Sequence, residues 1–175
     1  YQAVSELKLG QGYWMLCLSS PGETLLIPLQ LSDTYTVQLK AGWNLVGGVS
    51  TSIDFFEPQD NPDQSVVAGS LYEWHARGYA YRPARQIEPG KGYWLLALQE
   101  CKLTLDSSFN TLAAPQQLLR PKLLIPLRFI SAGSSRQLEI GLDDTASHSF
   151  DDMDRPMPPA TPLGWQLDVY LTGQD

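Results

Sequence analysis

The sequence has little cysteine, no long apolar run and no excess of basic residues. Cys17 and Cys101 are too few for a disulfide scaffold and lack the spacing of a thiolate metal site. A single bridge between them and two buried thiols both remain open. The longest unbroken apolar run, from Tyr93 to Leu98, is far shorter than the roughly 20 residues that span a bilayer. We therefore predict no membrane span.

The acidic residues are concentrated near the C-terminus. The 175 residues include 12 Lys and Arg against 19 Asp and Glu, a net charge of −7. Basic and acidic residues balance up to position 138, and residues 139–175 contain a single basic residue, Arg155. No basic stripe is present, so nucleic-acid binding is not expected. No basic start followed by an apolar stretch is present after Tyr1, and we expect a piece of a longer protein.

A motif of two glycines followed by tyrosine and tryptophan occurs twice. Residues 9–16 read Leu-Gly-Gln-Gly-Tyr-Trp-Met-Leu, and residues 89–96 read Pro-Gly-Lys-Gly-Tyr-Trp-Leu-Leu. Self-similarity of this kind is the signature of a repeat architecture. A complete repeat can be drawn over residues 32–112, whereas residues 1–31 hold only the closing half of one.

Short segments with alternating apolar residues predict β-strands. Residues 35–39, Tyr-Thr-Val-Gln-Leu, alternate with the period of a half-buried strand. The 14 glycines and 13 prolines leave little room for a helix. We predict an all-β protein of antiparallel β-sandwich or small-barrel modules in tandem, with very little helix. The expected divisions are residues 1–31, 32–112 and an acidic C-terminal β-module at 116–175.

Four motifs follow one another in the complete repeat. They are Gly-Trp-Asn-Leu at 42–45, Leu-Tyr-Glu-Trp at 71–74, Gly-Tyr at 78–79 and Pro-Gly-Lys-Gly-Tyr-Trp at 89–94. Their order and spacing resemble a β-rich repeat in the C-terminal parts of large bacterial secreted and cell-surface proteins. The resemblance covers residues 32–109 fully and 1–31 partially. It implies an exported, all-β, mostly non-catalytic module and names no ligand.

Five aspartates form an acidic loop near the C-terminus. Calcium takes roughly six to eight oxygen ligands, many of them carboxylates. The spacing differs from that of an EF-hand, and a solvated loop whose aspartates cap their own turns is the alternative explanation. The candidate calcium ligands are Asp143, Asp144, Asp151, Asp152 and Asp154.

Aromatic residues recur around the complete repeat. Flat, exposed rings stack on sugar faces, which makes Trp74, Tyr79 and Tyr81 candidate carbohydrate ligands. Core packing is the alternative use, because each aromatic side chain buries about 150–250 Å². The exposure of these three rings distinguishes the two uses.

Recognisable catalytic motifs are missing from the sequence. It contains no GxSxG, HExxH or glycine-rich phosphate loop, and a hydrolase would need His75 or His148 beside a carboxylate in a cleft. We predict a protein that is not an enzyme but an extracellular or cell-surface β-module with a structural or surface-attachment role. The alternative is a carbohydrate-binding accessory module of a larger secreted enzyme.

Residues 1–31 are expected to need a partner surface. They contain only the closing strands of a repeat, and an isolated two-stranded ribbon is marginally stable in water at best. The complete repeat of the same chain or a neighbouring copy could supply that surface, and in the second case copies would associate by strand completion. Expected partners are therefore other copies of the chain or the rest of a parent surface protein, with polysaccharide as the partner in the carbohydrate alternative.

Overall fold

The computed structural model describes residues 3–15, 32–76, 80–108, 120–131, 134–147, 154 and 156–162. The chain divides into two compact units, Tyr1–Pro115 and Gln116–Asp175. Every strand pairing is antiparallel, and the prediction of an all-β protein with very little helix is confirmed. Nowhere in these ranges is there a helix long and apolar enough to cross a membrane.

The described residues of the first unit form nine strands and one short 3-10 turn, Ala68–Ser70. The strands β1 to β9 are, in order, Thr34–Leu39, Gly42–Gly47, Ile53–Asp54, Gln59–Asn61, Tyr72–His75, Ala80–Pro83, Gln86–Ile87, Gly92–Ala97 and Cys101–Asp106. They form a four-stranded sheet in the order β2-β8-β5-β6, a three-stranded sheet in the order β1-β9-β4 and the pair β3-β7.

The core of this unit is shared by the two larger sheets. In β8, buried residues alternate with half-buried ones, and β9 alternates in the same way along most of its length. Because successive side chains of a strand point to opposite faces, each sheet presents one apolar face, and both faces contribute to a single cluster. The arrangement is a β-sandwich. The buried residues that β8 and β9 contribute are Tyr93, Leu95, Ala97, Cys101, Leu103 and Leu105.

The other face of the four-stranded sheet carries aromatic rings. Trp94 of β8 lies opposite Tyr72 of β5, and Trp74 of β5 lies opposite Tyr81 of β6, so all four belong to the same face. Trp43 of β2 meets Tyr72 at a ring-centroid distance of 6.0 Å. Tyr93 and Trp94 therefore point to opposite faces, with Tyr93 in the core and Trp94 on this aromatic face.

The part of the second unit that the structure describes contains one long hairpin. Strands β10 (Leu123–Ser131) and β11 (Ser134–Leu142) pair along their whole length, from Leu123 opposite Leu142 to Ser131 opposite Ser134. Leu123 and Leu142 are about half exposed. Pro126 lies in β10, where β11 is the one strand paired with it in the described ranges. A strand with an open edge tolerates a residue without an N–H group.

We expect Leu103→Ala to lower the free energy of unfolding of the first unit by about 2–5 kcal/mol, because it removes a fully buried side chain and leaves a cavity. The matched control is Leu98→Ala, at a side chain that is 58% exposed, where the change should stay within about 0.5 kcal/mol. Denaturant unfolding measures both. Equal losses in the two variants would contradict the assignment of the core.

Candidate repeat interface

The two copies of the repeated motif adopt the same turn. The first glycine of each copy has a positive φ, 79° at Gly10 and 73° at Gly90. Only glycine adopts a positive φ at no steric cost, which explains why the first conserved position of the turn is glycine in both copies. The similarity found in the sequence is thus a similarity of backbone conformation.

The tyrosine of each copy caps its own turn. The backbone N–H of Lys8 donates to the hydroxyl of Tyr13 at 2.8 Å, and the backbone N–H of Glu88 donates to the hydroxyl of Tyr93 at 3.0 Å. The donor stands five residues before the acceptor in both copies. This role of the hydroxyl is visible only in the structure.

The first copy docks onto β2 of the complete repeat. Gly12 N–H donates to the carbonyl oxygen of Leu45 at 3.1 Å, and Gly47 N–H donates to the carbonyl oxygen of Gly10 at 3.0 Å. The opposite edge of β2 pairs with β8, which contains the second copy. Strand β2 therefore contacts one copy of the motif along each of its edges.

This close approach depends on Gly12, the second glycine of the first copy. A Cβ atom on Gly12 would lie 2.7 Å from Leu45 Cγ and 2.8 Å from the carbonyl oxygen of Val46, closer than real Cβ contacts allow. A Cβ atom on Gly92 would lie 3.4 Å from Gly12 Cα. The two equivalent glycines thus face each other at the interface between repeats.

Tyr35 of β1 covers the docked turn. Its ring occupies the space that a side chain on Gly10 would need, and its hydroxyl donates to the carbonyl oxygen of Gly47 and lies 3.3 Å from that of Gly10. Burial raises the pKa of the Tyr35 phenol above its usual value. Tyr35 was not predicted as a site residue, because one tyrosine in an alternating strand resembles any other.

Trp14 extends the interface across the aromatic face. Its ring meets Trp74 at a centroid distance of 5.3 Å and Tyr81 at 6.3 Å, both edge to face. Trp74 and Tyr81 are themselves 5.3 Å apart, and Trp94 Nε1–H donates to the Tyr81 hydroxyl at 3.1 Å. Edge-to-face pairs of this kind contribute about 0.5–1.5 kcal/mol each beyond their buried area.

Two of the three candidate carbohydrate residues, Trp74 and Tyr81, are part of this aromatic packing. Trp74 and Tyr81 are half-buried, and their ring planes are inclined by 70° to each other. Rings inclined in this way do not present one flat platform to a sugar, so the geometry favours the packing alternative for these two residues. Tyr79 lies outside the described residues, and carbohydrate binding stays a prediction.

Asp143 of the acidic loop caps a turn. Its Oδ1 accepts hydrogen bonds from the backbone N–H and the hydroxyl of Thr145, at 3.0 and 2.7 Å. Its Oδ2 accepts from the backbone N–H of Lys122 at 3.1 Å. These bonds, those from Thr145 first, lower the pKa of the Asp143 carboxyl. This geometry is the turn-capping alternative of the sequence analysis.

Two of the other four candidate calcium ligands lie in the described residues. Asp144 forms an exposed ion pair with Lys122 at 2.6 Å. Asp154 is described, whereas Asp151 and Asp152 lie outside the described residues. Within the described ranges, no group of three or more His, Cys, Asp and Glu residues could hold a metal ion. Calcium binding by the complete set stays a prediction.

Two of the remaining candidate residues, Cys101 and His75, are described. Cys101 is buried at the start of β9, and burial raises the pKa of its thiol. Cys17 lies outside the described residues, so a Cys17–Cys101 bridge stays a prediction. His75 is half-buried at the end of β5, and His148 lies outside the described residues.

We expect the free energy of unfolding to fall above about pH 10, the usual tyrosine pKa. Burial raises the pKa of both Tyr35 and Tyr93, so their stabilising contribution is complete below about pH 10 and is lost as the pH rises toward the folded-state pKa values. Denaturant unfolding between pH 8 and pH 11 measures the slope, and Tyr35→Phe should reduce it. The same slope in this variant and the unsubstituted protein would exclude Tyr35 as a cause.

Comparison of the chain with family models, curated proteins and solved structures found no match.

Proposed function

We propose that this chain is a non-enzymatic structural β-module of a secreted or cell-surface protein, built from repeats that are joined by strand docking. The observation that carries the proposal is the position of β2 between the two copies of the motif, residues 10–12 on one edge and β8 on the other. In repeat proteins, stability comes from each unit and from its contacts with its nearest neighbours. The Gly-x-Gly-Tyr-Trp turn supplies such a contact here.

The chemistry of the interface supports a structural role. It consists of backbone hydrogen bonds, glycines in close approach and aromatic rings packed edge to face. These groups join one part of a chain to another, and the half-buried Trp74 and Tyr81 serve this packing. The module would work by holding neighbouring repeats in a fixed register, with other parts of a surface protein as its partners.

Alanine substitution at the first glycine of each copy tests the docking. Both Gly10 and Gly90 have positive φ, so both variants carry a backbone cost of about 1–2 kcal/mol. Beyond this cost, a Cβ on Gly10 would overlap the Tyr35 ring, whereas one on Gly90 meets open space. We expect Gly10→Ala to release the docked turn and Gly90→Ala to leave it in place.

Amide hydrogen exchange reads out this difference. The N–H groups of Gly12 and Gly47 make the two backbone bonds between the repeats, so Gly10→Ala should accelerate their exchange while Gly90→Ala should not. The control combines each glycine variant with Tyr35→Ala, which removes the overlapping ring. In this background the exchange rates of the Gly12 and Gly47 amides should differ less between the two glycine variants. Unchanged protection of both amides in Gly10→Ala would refute the proposed docking.

Surface labelling of intact cells tests the expected location. Lys40 and Lys102 are exposed and react with an amine-directed reagent that cannot cross membranes. An extracellular protein should be labelled to the same extent before and after lysis of the cells that produce it, or should be recovered labelled from the medium. Labelling that requires lysis would contradict an extracellular role.

A further inference from the structure

The two copies of the closing turn differ at three positions, and the docked copy exposes all three. Where the first copy has Leu9, Gln11 and Met15, the second has Pro89, Lys91 and Leu95. In the docked copy Leu9 is 54% exposed, Met15 is 63% exposed and Gln11 is also exposed. The interface therefore makes little use of the side chains that distinguish the copies.

The positions that the copies share carry the contacts. Gly10 lies under the Tyr35 ring, and Gly12 lies against Leu45 and Val46. The hydroxyl of Tyr13 caps the turn, and the ring of Trp14 packs on the aromatic face. These shared residues are Gly10, Gly12, Tyr13 and Trp14.

The substitutions found in the second copy are compatible with docking. Proline in place of Leu9 removes a backbone N–H, but the N–H that bonds to the tyrosine hydroxyl belongs to the preceding residue, Lys8. Gln11 contacts β2 through its backbone, at an antiparallel bridge with Val46. Because a backbone contact does not depend on the side chain, lysine at this position can make it too. Lysine would lose the hydrogen bond that Gln11 Oε1 accepts from the Tyr13 hydroxyl at 2.9 Å, but that bond lies within the turn and not between the turn and β2.

We propose that the surface that receives the turn, here called the acceptor site, recognises the residues that the two copies share, Gly-x-Gly-Tyr-Trp. The closing turn of either copy would then fit it. The acceptor site consists of the β2 edge at Leu45 and Gly47, the Tyr35 ring, and the Trp74–Tyr81 pair. Its occupant is the closing turn of the preceding repeat in the same polypeptide. The inference rests on the proposed function, and it means that repeats are interchangeable at this interface.

Replacing the three differing residues of the first copy by those of the second tests the proposed recognition in the intact chain. The triple variant Leu9→Pro, Gln11→Lys, Met15→Leu places the sequence of the second copy at the acceptor site. We expect the exchange rates of the Gly12 and Gly47 amides to stay within about threefold of the unsubstituted protein, the range of exposed substitutions. Adding Trp14→Ala to the graft should accelerate exchange by more than about tenfold, because it removes a packed ring. A graft that loses protection by itself overturns the proposal.

A peptide experiment tests recognition without the covalent link. In a chain carrying Gly12→Val, the added side chain meets Leu45 and Val46, so the acceptor site should be empty. Peptides of residues 7–15 and residues 87–95 are titrated into this variant while the Gly47 amide resonance is followed by NMR. We expect both peptides to shift it saturably, with dissociation constants within about tenfold of each other.

A peptide of residues 87–95 with alanine in place of its first glycine is the matched control. It should bind at least about tenfold more weakly, because its Cβ would meet the Tyr35 ring. Failure of the unsubstituted 87–95 peptide to bind overturns the inference. A different result would refute the proposed function, namely continued protection of the Gly12 and Gly47 amides in Gly10→Ala.

Discussion

The close backbone contact along the outer edge of β2 is the constraint on which the repeat interface depends. Strand β2 uses one edge for β8 of its own repeat and the other for the turn that precedes it. The contact with the preceding turn can form only because Gly12 lacks a Cβ atom where it meets Leu45 and Val46. The glycines of the motif therefore serve two purposes, since the first permits the turn and the second permits docking.

The four-stranded sheet is apolar on both faces, and each face has a different covering. The inner face packs into the sandwich core with Leu103 and its neighbours. The outer face carries Trp74, Tyr81 and Trp94, and Trp14 of the first copy of the motif packs against Trp74 and Tyr81. Without the turn that carries Trp14, this aromatic surface of the sheet would be exposed. Burial of that surface stabilises the interface, in addition to the two backbone hydrogen bonds.

Local patterns in the sequence predicted the all-β class, which the structure confirms. Alternation in residues such as Tyr35 to Leu39 indicates a strand because the period of two is a local property. The paired strands could not be predicted in the same way, because the register of β2 with residues 10–12 depends on contacts between distant segments. The sequence also directed attention to Trp74 and Tyr81 as sugar ligands, because a ring that packs and a ring that binds look alike in a sequence.

Tyr35 shows why the central residue of the interface was missed. Its role arises from the position of its ring over Gly10 and of its hydroxyl beside Gly47, and neither neighbour is close to it in the chain. The repeated Gly-x-Gly motif, in contrast, was visible because the same backbone requirement occurs twice. Sequence reasoning thus identified the docking turn but not the surface that receives it.

The hydrogen bond from the backbone of Lys8 to the Tyr13 hydroxyl lies entirely within the docking turn. The turn can hold its shape before it meets β2, so docking restricts fewer backbone dihedrals than it would in an unstructured peptide. A preorganised segment loses less conformational entropy on binding. Phenylalanine in place of Tyr13 would keep the ring but leave the Lys8 N–H without its acceptor. The lost free energy would then weaken the association of the repeats rather than the fold of either one.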